Sequence, residues 1–156
     1  MLIRPAAVAE EDLISALIFE SKAQWGYTRT QIDLWIPDLA VSADMIASGS
    51  VWVGEIDRQI IAVLVLVPAG SIWELAHLFV ASGSMRRGLG KQMFSHAVGI
   101  ARAHGAVALE IDADPNAEAF YSACGAQRIS TVAAPIAADP NRVRPQMRLA
   151  ITDFVG

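Results

Sequence analysis

From Ile60 to Val67 the chain runs IIAVLVLV, eight aliphatic residues with no polar interruption. Such a run offers water no face, and it is far shorter than the ~20 apolar residues a helix needs to cross a bilayer. Its β-branched content marks it as a strand within a buried sheet. Val51-Trp52-Val53 stands just before it, and Asp57-Arg58 between the two runs reads as the turn of a hairpin. Pro68-Ala69-Gly70 ends the run. Trp73 to Val80 then alternates, with Glu74, Ala76, Leu78 and Val80 on one face and Trp73, Leu75, His77 and Phe79 on the other.

After that strand the period changes. Leu89, Met93, Ala97, Ile100 and Ala101 follow helical spacing, Gly105 stops the helix, and Val107 to Ile111 forms the next strand, giving a β-turn-α-β unit. Upstream, Leu2 to Pro5 reads as a first strand, and Glu10-Glu11-Asp12 open a helix whose apolar face is Leu13, Leu17 and Ile18. Thr30-Gln31-Ile32-Asp33 reads as the capping box of a second helix that Pro37 kinks or ends, and Ser42 caps a short turn closed by Gly49. Downstream, Asp114-Pro115-Asn116 starts a short helix through Tyr121 that Gly125 ends. Gln127 to Val132 and Met147 to Thr152 close the pattern as strands around a Pro-rich loop.

With 156 residues, 54% of them hydrophobic, the chain suits a single domain over residues 1–156. A formal net charge of -4 argues against a nucleic-acid surface, so Arg86, Arg87 and Lys91 stand out as a local positive spot. The lone Cys124 closes no disulfide and belongs to no metal-ligand cluster, and the first twenty residues lack the layout of a signal peptide. The expectation is a cytoplasmic protein that uses no metal and binds no membrane.

The turn Gly83 to Gln92, GSMRRGLGKQ, lies between the strand ending at Val80 and the helix beginning near Leu89. A helix entered through glycines leaves its first N–H groups unpaired at the positive end of the macrodipole, which suits an anion such as a phosphate. A nucleotide P-loop fails, because Leu89-Gly90 stands where Lys-Ser/Thr must follow Gly88. A dinucleotide fingerprint also fits poorly, since Met93 occupies the third glycine position.

The third candidate is closer. Leu78-Phe79-Val80 followed by Met85-Arg86-Arg87-Gly88-Leu89-Gly90 resembles the pyrophosphate turn of the GNAT superfamily of acetyl-CoA-dependent N-acetyltransferases, and Asn116 to Ala126 resembles its downstream Asn…Phe-Tyr…Gly segment. Met85 and Ser82 depart from the usual Gln/Arg and Pro, at positions where backbone amides carry the contact. The resemblance implies a mixed α/β domain whose central sheet is mostly antiparallel, splayed where the strand ending at Val80 parts from the one ending near Ile111, and flanked by helices. It implies that the amides and side chains of Arg86, Arg87, Gly88, Leu89, Gly90 and Lys91 hold the acetyl-CoA pyrophosphate. Its pantetheine arm would lie along Leu78, Phe79 and Val80 with Asn116 bonded to it. Tyr121 would be the general acid toward the thiol and Glu74 the base, with His77 as runner-up and Trp25 and Tyr27 as acceptor walls.

The implied reaction is acetyl transfer to a primary amine of a small molecule or a peptide. Transfer of another acyl group, or a non-catalytic acyl-CoA-binding module, remains open on the same residues, and family members often assemble as homodimers. Each assignment has a plainer alternative: Tyr121 as a buried ring, Glu74 as a solvated strand residue or ion-pair member, and Trp25 and Tyr27 as packing, while His96 and His104 on the long helix are expected to cap, pack or face water. Specificity is expected from the region Lys22 to Gly49 and the loop Pro135 to Pro145.

Overall fold

In a computed structural model describing residues 1–156, the aliphatic run becomes β3 (Gln59–Val67), paired antiparallel with β2 (Val51–Ile56). Six successive residues of β3, Ile61 to Leu66, are buried, so both faces of the strand are covered. The Ile, Val and Leu side chains among them each contribute roughly 1.5–3 kcal/mol by leaving water. The hairpin closes through Asp57 and Arg58, both with positive φ, a two-residue turn whose twist matches that of the strands. Gly54 sits at a bulge in this ladder. A Cβ there would stand 2.6 Å from Met1 Sδ and 3.1 Å from Ala62 Cβ, so only glycine fits without movement.

The remaining strands are β1 (Leu2–Pro5), β4 (Ile72–Val80), β5 (Ala108–Asp112), β6 (Gln127–Ala133) and β7 (Val143–Ala150), and the sheet order is β1-β2-β3-β4-β5-β7-β6. The β4–β5 pair is parallel, whereas β1–β2, β2–β3, β5–β7 and β6–β7 are antiparallel. The helices are α1 (Glu11–Ala23), α2 (Arg29–Leu39), α3 (Ala43–Ala47), α4 (Leu89–Ala103) and α5 (Glu118–Ala123). None is long and apolar enough to cross a membrane. By internal contacts the chain divides into two compact units, residues 1–66 with 77–96 and residues 67–76 with 97–156.

In the first unit, α1 buries Ile14, Leu17, Ile18, Ser21 and Lys22. This corrects the expected face, because Leu13 is 58% exposed: it lies one residue, about 100° of helix rotation, from Ile14. The cap of α2 is also corrected. Thr28, not Thr30, accepts from the Gln31 N–H at 3.1 Å, since Thr28-x-x-Gln31 is the stretch that places an extended residue before the first turn. Pro37 lies inside α2, which runs two residues past it to Leu39. Ser42 caps α3 as expected, accepting from Met45 N–H at 3.2 Å, and Arg4 is clamped by Glu10 and Glu55 at 2.7 Å each.

In the second unit, Ile72, Trp73 and Glu74 register with Ala108, Leu109 and Glu110. That ladder ends at Glu74, while β4 itself continues to Val80; this is the expected splay. Val143 begins β7 four residues before the expected Met147. The difference lies at Pro145, the last residue of the expected loop, which has no N–H to give a ladder. It sits instead opposite Thr131, just past a register shift between Arg128 and Ser130, and its carbonyl accepts from Ala113 N–H at 3.0 Å.

Candidate active site

The end of β4 is fixed from both directions within the first unit. Ser21 Oγ, buried on α1, donates to the Val80 carbonyl at 3.0 Å, and Ala81 N–H donates to the Ile61 carbonyl at 2.8 Å. A 3-10 turn over Ser82–Ser84 follows. Arg86 then takes a left-handed conformation at φ 61° and Gly88 another at 74°. Turns that contain left-handed residues can gather successive N–H groups into an anion-binding concavity.

The helix that follows is anchored by its own apolar face, with Leu89, Met93 and Phe94 buried. Gln92 N–H donates to the Gly88 carbonyl at 3.1 Å, so the amides of Leu89, Gly90 and Lys91 precede that bond at the positive end of α4. Arg86, Arg87, Gly88 and Lys91 are all exposed, and a Cβ at Gly88 would meet nothing within 4 Å. The geometry is that of an open, positively charged turn with unpaired donors.

The same unit holds the other first-half candidates. Leu78, Phe79 and Val80 are half-buried, and the His77 and Phe79 rings share a strand face with centroids 5.7 Å apart. Tyr27 packs edge-on against Trp35 at 4.8 Å, and Trp25 is 41% exposed. The buried Lys22 ammonium stands 5.4 Å from the Tyr27 ring and 5.1 Å from the Trp35 ring. The sequence reading missed both Lys22 and Trp35. Their spacing, with Lys22 at the end of one helix and Trp35 in the middle of the next, gives no local signal of a shared contact.

The second unit holds Glu74, Asn116 and Tyr121. Glu74 is exposed on β4 and lines a groove of about 440 Å³ with Ile72, Glu110, Asp112, Ile129 and Gln146. Two of those carboxylates are engaged from β7: Arg148 pairs with Glu110, and Arg144 meets Asp112 at 2.9 Å. Asn116 lies in a 3-10 turn, Pro115–Ala117, capped by Asp114. Tyr121 is buried on α5, its ring edge-on to Phe120 at 5.1 Å. Burial, reinforced by the negative potential of Cys124 and Asp114, pushes its phenol above the usual tyrosine value. No three His, Cys, Asp or Glu side chains stand together as a metal-holding group.

A turn of this kind occurs in more than one family, and the comparison that decides among them is of sequence: the profile of the Acetyltransferase (GNAT) family matches residues 13–126. The chain belongs to the GNAT acetyltransferase family. No curated protein matches it in sequence. Among solved structures this GNAT protein is similar to the PaiA N-acetyltransferase of Thermoplasma acidophilum in complex with coenzyme A, at 15% identity, 96% and 98% coverage of the two chains and a TM-score of 0.75. It is also similar to the ribosomal-protein-S18-alanine N-acetyltransferase of Escherichia coli, at 14% identity, 99% and 96% coverage and a TM-score of 0.73. A third likeness is to an aminoglycoside 6'-acetyltransferase type Ii, at 15% identity, 97% coverage of each chain and a TM-score of 0.69. At such identities these likenesses concern the fold.

Proposed function

We propose that this GNAT protein, a single domain over residues 1–156 working in the cytoplasm, moves an acetyl group from acetyl-CoA to a primary amine of a small molecule or a peptide. The observation that carries the reading is the turn at Arg86 and Gly88. Two left-handed residues open a helix whose first amides are unpaired and whose neighbours are three exposed cations. A diphosphate matches that charge and that donor set.

In the first unit, Arg86, Arg87, Gly88, Leu89, Gly90 and Lys91 hold the pyrophosphate, and the half-buried stretch Leu78, Phe79 and Val80 takes the pantetheine arm as it would an added strand. Trp25 and Tyr27 wall the acceptor, and His77, on the strand face opposite Glu74, is the alternative base. In the second, Asn116 bonds the arm, Glu74 removes the proton of the attacking amine directly or through water, and Tyr121 serves the leaving group. The amine lone pair attacks the thioester carbonyl, the C–S bond breaks, and the coenzyme A thiolate departs. The raised phenol is a weaker acid than a thiol, whose reference pKa is about 8.5. Tyr121 therefore stays protonated and donates a hydrogen bond to the sulfur as its charge develops, the proton finally bound coming from the amine through Glu74.

The test is release of free thiol from acetyl-CoA on addition of a panel of amines. Release with at least one amine supports the reading, and parallel alcohol and longer acyl-CoA panels define its scope. Binding of acetyl-CoA without release to any acceptor would make the protein an acyl-CoA-binding module instead.

A further inference from the structure

One buried ion pair in the second unit is not used by the chemistry above. Arg142, at the end of the β6–β7 loop, has a side chain only 6% exposed, and its Nη2 stands 3.6 Å from Asp114 Oδ2, whose side chain is 10% exposed. Nη1 donates to the Ala134 carbonyl at 3.1 Å. The Arg142 carbonyl accepts from Ala134 N–H at 3.0 Å, and its N–H donates to the Asp139 carbonyl at 3.3 Å. One residue thus closes the loop through its backbone and reaches out of it through its guanidinium, a planar multi-donor group that a lysine does not reproduce.

The second oxygen of Asp114 has a separate task. Its Oδ1 accepts both the N–H and the side-chain Nδ2 of Asn116, each at 2.9 Å. With Nδ2 bonded to Asp114 the amide plane of Asn116 is fixed, and a fixed side-chain carbonyl is the kind of acceptor that an amide N–H of a pantetheine arm requires. A buried ion pair adds little net stability over apolar residues of the same volume, so its value here lies in orientation.

We infer that Arg142 is a positioning residue for acyl-CoA binding, acting through Asp114 to hold the Asn116 side chain with its carbonyl toward the pantetheine arm. The inference rests on the acyl-CoA reading above and adds to it a coupling between the β6–β7 loop and the donor.

Calorimetric titration of coenzyme A into the wild type, Arg142→Met, Asn116→Ala, the double variant and Arg142→Lys tests it. Arg142→Met and Asn116→Ala should each weaken binding about ten-fold, the worth of one ligand hydrogen bond, and the double variant should be no weaker than the weaker single one. Arg142→Lys should recover part of the loss. Losses that multiply to about a hundred-fold in the double variant would show that Arg142 acts independently of Asn116 and would overturn the inference. Should Arg142→Met fail to fold, Asp114→Asn keeps one acceptor oxygen for Asn116 while removing the ion pair. A loss shared with Asn116→Ala supports the inference, and unchanged affinity overturns it. If the wild type binds coenzyme A and Arg142→Met binds it equally well, this inference alone falls. If the wild type binds none, the proposed function falls with it.

Discussion

Two turns in the first unit place non-glycine residues in the left-handed region, and they do so for different ends. Asp57 and Arg58, at φ 50° and 63°, join β2 to β3, and the ladder closes beside them with Ile56 opposite Gln59. The strain, roughly 1–2 kcal/mol per residue, is offset by a hairpin whose twist needs that conformation. Arg86, at φ 61° with Gly88 at 74° two residues on, joins no ladder. Arg86, Arg87 and Gly88 are exposed, and strain that no secondary structure requires points to function.

The comparison can be broken most decisively at Gly88. Valine at φ 74° carries a β-branched side chain into the left-handed region and into the space assigned to phosphate. Coenzyme A affinity should fall about a hundred-fold while the circular dichroism of the fold persists. Equal affinity would show that the turn does not hold the ligand. Tyr121→Phe should separate binding from chemistry: affinity stays while kcat drops about 10²-fold, measured by thiol release. Because the phenol lies above its ordinary value of about 10, Tyr121 keeps its proton up to that pH. The wild-type kcat profile should therefore show no alkaline fall below about pH 10 that is absent from the phenylalanine variant.

A smaller effect is expected from charge alone. Replacing Arg86, Arg87 and Lys91 together with serine should weaken coenzyme A about ten-fold at low salt and flatten the dependence of affinity on ionic strength, since exposed charges are screened. Smallest is the change at the other turn. Arg58→Gly should raise stability by about 0.5–1 kcal/mol in urea unfolding, by placing glycine where φ is positive, and should leave coenzyme A binding untouched. A loss of ligand affinity there would erase the distinction between the two turns.

Much of this was legible in the sequence because it is local. The run from Ile60 to Val67, the hairpin at Asp57-Arg58 and the strand-turn-helix around Arg86 each follow from residues close together in the chain, where side-chain period and backbone preference decide the outcome. Errors fell where two local signals competed. Thr28 and Thr30 both offer a hydroxyl to α2, and Leu13 and Ile14 both lie at the start of α1. Pro145 forms part of β7 although its missing N–H speaks against a strand. What stayed hidden was non-local: the rings around Lys22 and the reach of Arg142 to Asp114 join segments whose separate compositions carry no trace of the contact.

The most direct test is calorimetric titration of coenzyme A into the wild type and Gly88→Val, each at low and at high salt. The account predicts one binding site in the wild type, weaker at high salt, with affinity about a hundred-fold lower in the variant. No heat of binding to the wild type, or equal affinity in both proteins, would contradict it.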